Sequence, residues 1–225
     1  MDYQFPRIER LADVLPAIEG RDEFILAQRE WGTVVNYLVS MADTFPAVNT
    51  VRMANGIEQM EGKDSGPIFM TQEDYLAAIR RECRGLIFCP KTGKFVRRPL
   101  VKFFNVGERE ETQLHRLDFS KSHSVYTKED GSMIVPFEVE HGSGQIRWGT
   151  KMGLTEVALK AEVFVAKNLK YQEFAKQCIS RDISPIFEYV APDNHIVLKY
   201  EQESMILLAA RHMITGEYIN LEPSA

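Results

Sequence analysis

Apolar and polar residues alternate along several short stretches of the chain, which is the period of a β-strand with one buried face. The clearest alternation runs through Met133, Val135 and Phe137 and continues to residue 140. Two β-like runs surround Trp31-Gly32 within residues 24–39, and they predict an early hairpin. Further strands are predicted after Arg84, through Leu86-Ile87-Phe88, and at residues 124–127, 186–190, 195–200 and 205–210.

Helical patterns separate these strands. Thr71 and Asp74 resemble a capping box, which predicts a helix ending near Arg84. Residues 155–179 form the longest helical segment, whose predicted apolar face comprises Val157, Leu159, Ala161, Val163, Phe164 and Leu169. Residues 42–67 carry scattered Gly, Pro, Asn and Asp and predict a loop-like insertion. Helices between hairpins favour an α+β fold of antiparallel sheets with flanking helices over a doubly wound parallel sheet.

The 225 residues are within the range of one domain, so we expect a single domain over 1–225 with an N-terminal segment at 1–23. The net charge of −5 is mildly unfavourable for nucleic acid. Binding of RNA would therefore need a local basic surface. One stretch could provide such a surface, because it contains only one acid, Glu82, and eight cations: Arg80, Arg81, Arg84, Lys91, Lys94, Arg97, Arg98 and Lys102. A solvated charged face is an equally good interpretation of this stretch.

Cellular location is indicated by the cysteines and by hydropathy. Cys83, Cys89 and Cys178 are odd in number and lack metal-ligand spacing, which predicts reduced thiols in a cytoplasmic protein. The first residues do not form a signal peptide, and the apolar stretches are too short to span a bilayer, so no membrane association is expected. The histidines have no partner at diagnostic spacing, and we interpret them as surface or packing residues.

Lys128, in the stretch Lys128-Glu129-Asp130-Gly131-Ser132, is the leading candidate for chemistry. Lysine followed by x-Asp-Gly between a strand and a turn can present an amine for covalent attack on a nucleotide phosphate. Attack requires a neutral amine, so nearby cations must outweigh Glu129 and Asp130. Asp-Gly between two β-like runs is also a strong signal for a two-residue hairpin with a solvated lysine beside it.

Two upstream cations are tied to apolar elements. Arg84 leads into an apolar run, and Lys102 precedes Phe103 and Phe104. A cation beside an aromatic ring suits a site that stacks a base and holds a phosphate. Plain core packing is the alternative for the two phenylalanines, and also for Trp148, which could otherwise line a nucleotide pocket.

Taken together, the motifs resemble those of the bacteriophage ATP-dependent RNA ligases of the tRNA-repairing type, in the superfamily of lysine-dependent nucleotidyl transferases. The similarity covers the chain from about Phe24 to its end. It follows an ordered series of segments: Glu82-Cys83-Arg84-Gly85-Leu86-Ile87-Phe88, Arg98-Pro99, Lys102-Phe103-Phe104-Asn105, Lys128-Glu129-Asp130-Gly131-Ser132, Thr150-Lys151, Phe187-Glu188-Tyr189-Val190-Ala191-Pro192, Ile196-Val197-Leu198 and Thr215-Gly216-Glu217-Tyr218-Ile219.

The resemblance implies a nucleotidyl transferase domain of the ATP-grasp-like ligase type and assigns roles by position. Lys128 would be the nucleophile. The other implied nucleotide-binding residues are Arg84, Lys102, Phe103, Phe104, Glu129, Gly131, Lys151 and Glu188. Glu188 would contact the ribose or help to hold a metal ion, whereas its local pattern alone favours a strand residue pointing to solvent.

The implied reaction has three steps: Lys128 attacks the α-phosphate of ATP, AMP passes to an RNA 5′-phosphate, and a 3′-hydroxyl displaces AMP. ATP and Mg²⁺ or Mn²⁺ would be the cofactors, and the partner would be RNA with 5′-phosphate and 3′-hydroxyl ends, with cleaved tRNA as one candidate. DNA ligation or capping-type guanylyl transfer would use the same lysine chemistry. A non-catalytic nucleotide- or RNA-binding module is the third alternative.

One departure from the family pattern concerns the last motifs, a Glu-Gly followed by apolar residues and then a Lys-x-Lys strand. These motifs should follow Thr215-Gly216-Glu217-Tyr218-Ile219, but the sequence ends at Ala225. We expect a truncated chain or a naturally short, catalytically weakened paralogue, and either would adenylylate Lys128 poorly.

Overall fold

The computed structural model describes residues 5–41, 43–49, 69–121, 123–194 and 197–220. Its first sheet has the antiparallel order β1-β2-β3-β4. The strands are β1 (Phe24–Arg29), β2 (Gly32–Tyr37), β3 (Arg84–Phe88) and β4 (Phe95–Arg97), and the helices packed with them are α1 (Leu11–Ile18) and α2 (Gln72–Glu82). The predicted early hairpin is confirmed by β1 and β2. The predicted second helix is confirmed as well, because the Thr71 hydroxyl caps it by accepting the backbone N–H of Asp74.

The second sheet is also antiparallel, in the order β6-β5-β7-β8. Its strands are β5 (Ser132–Glu138), β6 (Ile146–Gly149), β7 (Ile183–Val190) and β8 (Ser204–His212). Two helices, α3 (Glu156–Lys167) and α4 (Leu169–Ile179), cover it around Trp148, Phe187 and Tyr189. Trp148 therefore belongs to the core, and its indole N–H donates to Gln172. The α+β class with antiparallel sheets and flanking helices is confirmed.

The two sheets pack against each other through a third apolar cluster. Val34 and Ile87 of the first sheet meet Phe137 of the second, and Trp31 lies against Phe137 with 5.6 Å between ring centroids. Trp31 also covers Gly153, where any Cβ would overlap the indole ring. This packing sets the turn after β6 directly against the first sheet.

The single long helix predicted over residues 155–179 is wrong, because the chain breaks at Asn168 between α3 and α4. Asn168 has φ −131°, and its side-chain amide donates to the carbonyl of Phe164 at 2.8 Å. A side chain that bonds the backbone in this way competes with helix continuation. Part of the predicted apolar face is also wrong, since Leu159, Val163 and Leu169 are exposed.

Two predicted strands do not form. Residues 124–127 are irregular and exposed, and no strand of the described part pairs with them. Asp130-Gly131 is consequently not a hairpin turn between two strands. Residues 197–200 are irregular too, since the amides of Val197 and Leu198 donate to the carboxylate of Asp130 instead of to a strand. Residues 195 and 196 lie outside the described part.

The remaining elements are irregular. In the sequence, two short 3-10 helices, Glu110–Thr112 and Leu114–Arg116, follow the last strand of the first sheet and precede the first strand of the second. Of the predicted insertion loop, residues 43–49 contain neither helix nor strand, and residues 42 and 50–67 lie outside the described part. All three cysteines are free and buried. No helix within the described ranges has the length and hydropathy needed to cross a membrane.

The predicted basic surface is wrong for four of its eight cations, which are buried: Arg80, Arg81, Arg97 and Arg98. Arg98 shares the buried carboxylate of Glu82 with Arg211, at 3.0 Å and 2.9 Å. Arg81 pairs with Glu111, and Arg80 pairs with Glu73. Half of the cations of this stretch are therefore buried in the fold and are not presented to solvent.

Candidate active site

Arg84 begins β3 directly after α2, which places its side chain between the two sheets. Gly85 follows with φ +89°, and a Cβ there would lie 2.5 Å from the carbonyl oxygen of Lys151. Only glycine permits so close an approach. The turn after β6 therefore lies against β3 and brings Lys151 beside Arg84.

Lys151 is fixed by residues of β2 as well. Its ammonium lies 5.0 Å from the ring centroid of Tyr37, and the next residue, Met152, receives a contact from the Asn36 amide at 3.0 Å. Burial lowers the pKa of Lys151, and the charge of Arg84 lowers it further. Tyr37 carries no recognisable motif in the sequence, and only its place at the end of a predicted strand could have suggested a role.

Lys102 also lies near enough to Arg84 to be affected by its charge. Its ammonium is 4.3 Å from the ring centroid of Phe104 and donates to the Phe103 carbonyl at 2.7 Å. Burial lowers the pKa of Lys102; Glu108 opposes this shift, and the charges of Arg84, Arg109 and Arg81 add to it. The positive charge of Arg84 thus lowers the pKa of both Lys102 and Lys151.

The two predicted aromatic contacts differ in environment. Phe104 packs against the first core and lies 6.2 Å from Phe45 between ring centroids. Phe103 is 57% exposed and lies under the Arg84 guanidinium, 5.3 Å from its ring centroid. Phe103 is therefore the one whose ring is open to a ligand.

Lys128 is exposed and lies four residues before the first residue of β5 (Ser132–Glu138). The two acidic residues that follow it are engaged in hydrogen bonds. The Tyr200 hydroxyl donates to Glu129 at 3.1 Å and accepts the backbone N–H of Asp130 at 2.9 Å. The Asp130 carboxylate accepts the amides of Val197 and Leu198. Tyr200 was missed by sequence reasoning, although it follows the quoted Ile196-Val197-Leu198 segment.

Glu188 lies near the C-terminal end of β7, where the charges of both Lys128 and Arg84 act on it. Its Oε1 atom accepts the backbone N–H of Gly131 at 3.1 Å. Burial raises the pKa of Glu188; the Gly131 bond and the charges of Lys128 and Arg84 oppose this shift, and Glu129 adds to it. The Arg84 guanidinium also contacts the sulfur of Met133, which pairs with Glu188 in the sheet. The solvent-pointing alternative for Glu188 therefore does not hold.

All residues predicted for the site join one network around Arg84 and Glu188. Arg84 contacts Phe103 and crowds Lys102 and Lys151, whereas Glu188 faces Lys128 and Glu129 and holds Gly131. Among the described residues, no group of three or more His, Cys, Asp or Glu side chains could hold a metal ion by itself. Mg²⁺ commonly binds one or two carboxylates together with substrate phosphates, and Glu188 suits that kind of site. Chemically, the arrangement can receive a polyanion beside an exposed amine.

Comparison with known proteins agrees with this geometry. A family model described as RNA ligase matches residues 82–225. A protein of Thermovibrio ammonificans with the provisional name RNA ligase is 34% identical over 152 residues, which are 67% of this chain and 39% of the relative.

A second relative, from Autographa californica nuclear polyhedrosis virus, has the provisional name bifunctional polynucleotide kinase/RNA ligase. It is 30% identical over 153 residues, which are 61% of this chain and 22% of the relative. The matched part of this chain thus spans well under half the length of either relative. The match over residues 82–225 includes every residue of the candidate site except Tyr37, and the chain belongs to the phage-type RNA ligase family.

Proposed function

We propose that the chain is the adenylylation domain of an ATP-dependent RNA ligase and that Lys128 is its nucleophile. The observation that supports this most is that the charges of the exposed Lys128 and of Arg84 both act on Glu188, while Arg84 also acts on Lys102 and Lys151. Cations that repel one another gain free energy when an anion binds between them, and a triphosphate is such an anion.

In the first step, the neutral amine of Lys128 would attack the α-phosphorus of ATP, forming a phosphorus–nitrogen bond. The bond between the α-phosphorus and its bridging oxygen breaks, and pyrophosphate leaves. Arg84, Lys102 and Lys151 would stabilise the charge on the phosphate oxygens. Glu188 and the phosphates would hold the divalent metal, which supplies further neutralisation of phosphate charge when bound.

Two transfers would follow. An oxygen of an RNA 5′-phosphate would attack the AMP phosphorus and release Lys128, and an RNA 3′-hydroxyl would then attack the activated 5′-phosphate and release AMP. The net result is a phosphodiester that joins two RNA ends. Repair of broken RNA in the cytoplasm, with cleaved tRNA as one substrate, is the role that we propose for this reaction.

The hydrogen bonds of Glu129 and Asp130 support the assignment of Lys128. Both carboxylates are engaged away from the amine, Glu129 by Tyr200 and Asp130 by two backbone amides. These hydrogen bonds occupy carboxylate oxygens that could otherwise pair with the Lys128 side chain.

The test is incubation of the full chain with ATP labelled at the α-phosphate, in Mg²⁺ and separately in Mn²⁺. We expect label that survives denaturing electrophoresis and a mass increase that maps to Lys128. Lys128→Ala should take no label, whereas Lys121→Ala, an exposed lysine of the preceding segment, should behave as the unaltered chain.

Several outcomes would contradict the proposal. Label on Lys128→Ala would refute the nucleophile, and absence of label with both metals would favour a non-catalytic binding module. Stronger labelling by GTP, or transfer to nicked DNA in preference to single-stranded RNA, would indicate capping-type transfer or DNA ligation.

A further inference from the structure

Arg97 is a fully buried arginine that the proposed reaction leaves without a role. It ends β4 with 0% exposure, and no carboxylate of the described part forms an ion pair with it. Its Nε and Nη2 atoms both donate to the carbonyl of Gly85, at 3.0 Å and 2.7 Å. Its Nη1 atom has no acceptor among the described residues.

The guanidinium lies between the two sheets. Its carbon is 5.5 Å from the ring centroid of Phe137 on β5, which provides an aromatic face for the cation. A Cβ on Gly149 of β6 would lie 2.7 Å from Nη1, and a Cβ on Gly85 would lie 3.0 Å from Nη2. Two glycines, one from each sheet, thus admit the guanidinium between them.

These two glycines adjoin the phosphate-binding cations of the proposed site. Gly85 follows Arg84 directly, and Gly149 precedes Lys151 by two residues. The same Gly85 also lies against the backbone of Lys151. A group held at this position therefore determines the separation between the backbone segments that carry Arg84 and Lys151.

An apolar side chain could fill this space without the cost of burying a charge. Burial lowers the pKa of the Arg97 guanidinium, as expected for a cation that lacks a counter-charge. The buried Arg97 guanidinium lies beneath Arg84 and Lys151, the residues proposed to bind phosphate. Its positive charge adds to the electrostatic potential at that site, and little water is present to screen it.

We infer that Arg97 is a positioning residue for the nucleotide: it braces Arg84 and Lys151 at the spacing that receives the phosphates, and its unneutralised charge favours their binding. This inference rests on the proposed function. Arg97 would act through the Gly85 carbonyl and through its field, without touching the substrate.

The test compares Arg97→Met, Arg97→Lys and the control Lys94→Met, which alters an exposed lysine on the same hairpin. Single-turnover adenylylation is measured against ATP concentration and normalised to the folded fraction. We expect Arg97→Met to raise the KM for ATP about tenfold and to lower the saturated rate severalfold. Arg97→Lys should restore part of the lost affinity because it keeps the charge, and Lys94→Met should match the unaltered chain.

A wild-type KM and rate for folded Arg97→Met would overturn the inference and leave Arg97 as a core filler. Hydrogen exchange provides a readout that does not depend on activity. Arg97→Met, but not Lys94→Met, should exchange faster at residues 84–88 and 149–153, and unchanged exchange at both segments would overturn the bracing. If the unaltered chain takes no AMP, the proposed function fails and the exchange result alone decides whether Arg97 braces the sheets.

Discussion

The backbone N–H of Gly131 donates to the Oε1 atom of Glu188 at 3.1 Å, and this bond joins the segment that carries Lys128 to β7. Gly131 packs so closely on the Tyr189 carbonyl that a Cβ there would overlap it. The exposed nucleophile candidate, Lys128, is therefore three residues away from a point, Gly131, at which the chain is held against β7. The same carboxylate that anchors this segment is the one that we assign to the metal.

Glu188→Gln should lower the adenylylation activity without lowering the stability of the fold. Burial raises the pKa of Glu188 above its ordinary value, so its contribution to stability is fully present below about pH 4.5 and is lost as the pH rises through the raised value. Glutamine keeps an oxygen for Gly131 and removes this cost at neutral pH. We expect an equal or higher free energy of unfolding at pH 7 by urea denaturation, together with at least a roughly tenfold loss of adenylylation.

Glu201→Gln, at an exposed position, is the control for Glu188→Gln and should change neither quantity. A clear loss of stability at pH 7 in Glu188→Gln would show that the carboxylate is favourable in the fold. Full activity of that variant would remove Glu188 from the metal site.

Gly85→Ala should disrupt the contact between β3 and Lys151. Both Gly85 and Gly93 have positive φ, but a Cβ on Gly85 would meet the Lys151 backbone, whereas nothing lies within 4 Å of one on Gly93. We expect Gly93→Ala to cost about 1 kcal/mol of unfolding free energy from backbone strain alone, and Gly85→Ala to cost at least about 2 kcal/mol more. Only Gly85→Ala should weaken ATP binding, as measured by calorimetry. Equal effects of the two variants would argue against a tight junction.

Lys151→Met should stabilise the free protein and weaken its response to pyrophosphate. Burial and Arg84 lower the pKa of Lys151, so the protonated lysine is disfavoured in the fold, and stability increases as the pH rises through the lowered value. Methionine removes this cost at neutral pH. We expect a higher melting temperature than that of the unaltered chain, and a smaller increase on addition of inorganic pyrophosphate.

Salt provides a second measurement for Lys151→Met. The pyrophosphate response of the unaltered chain should decline between low salt and about 0.5 M salt, because the Debye length shortens. Lys94→Met should retain both the response and its salt dependence. A pyrophosphate response in Lys151→Met equal to that of the unaltered chain would place the anion elsewhere.

Local pattern was sufficient to predict the early hairpin, the helix capped by Thr71 and the strands β3, β5, β7 and β8. It failed where long-range partners decide the structure. Residues 124–127 have a strand-like pattern, but no strand of the described part pairs with them. The residues around Lys128 instead obtain their order from Tyr200 and Glu188, which are more than 50 positions away in sequence.

The surface prediction for the basic stretch from Arg80 to Lys102 is wrong at its four buried arginines for the same reason. Its charges were counted against nearby acids only. Arg98 shares Glu82 with Arg211, which follows Glu82 by 129 residues, and no local window contains that triad. Arg97 is buried with no carboxylate in its described surroundings, an arrangement that composition and charge patterning cannot predict.

Glu82→Gln should be strongly destabilising. The side chains of Glu82, Arg98 and Arg211 are all 0% exposed, and the two arginines also donate to carbonyls of the N-terminal segment and of the turn after β8. Replacing the carboxylate leaves two buried cations without a counter-charge. We expect a loss on the order of 3–5 kcal/mol in unfolding free energy, measured by urea denaturation at pH 7. Glu110→Gln, which breaks an exposed pair with Arg116, is the control and should cost less than about 1 kcal/mol.

The pH dependence of stability tests the same triad independently. Burial would raise the pKa of Glu82, but the charges and hydrogen bonds of Arg211 and Arg98 outweigh it and lower the pKa below the ordinary value of 4.5. The carboxylate therefore contributes stability above about pH 4.5, and this contribution is lost as the pH falls through the lowered value. The unaltered chain should lose stability more steeply than Glu82→Gln below that pH, because the variant has no carboxylate to protonate. Parallel acid profiles for the two proteins would mean that the arginines do not hold Glu82 in its charged form.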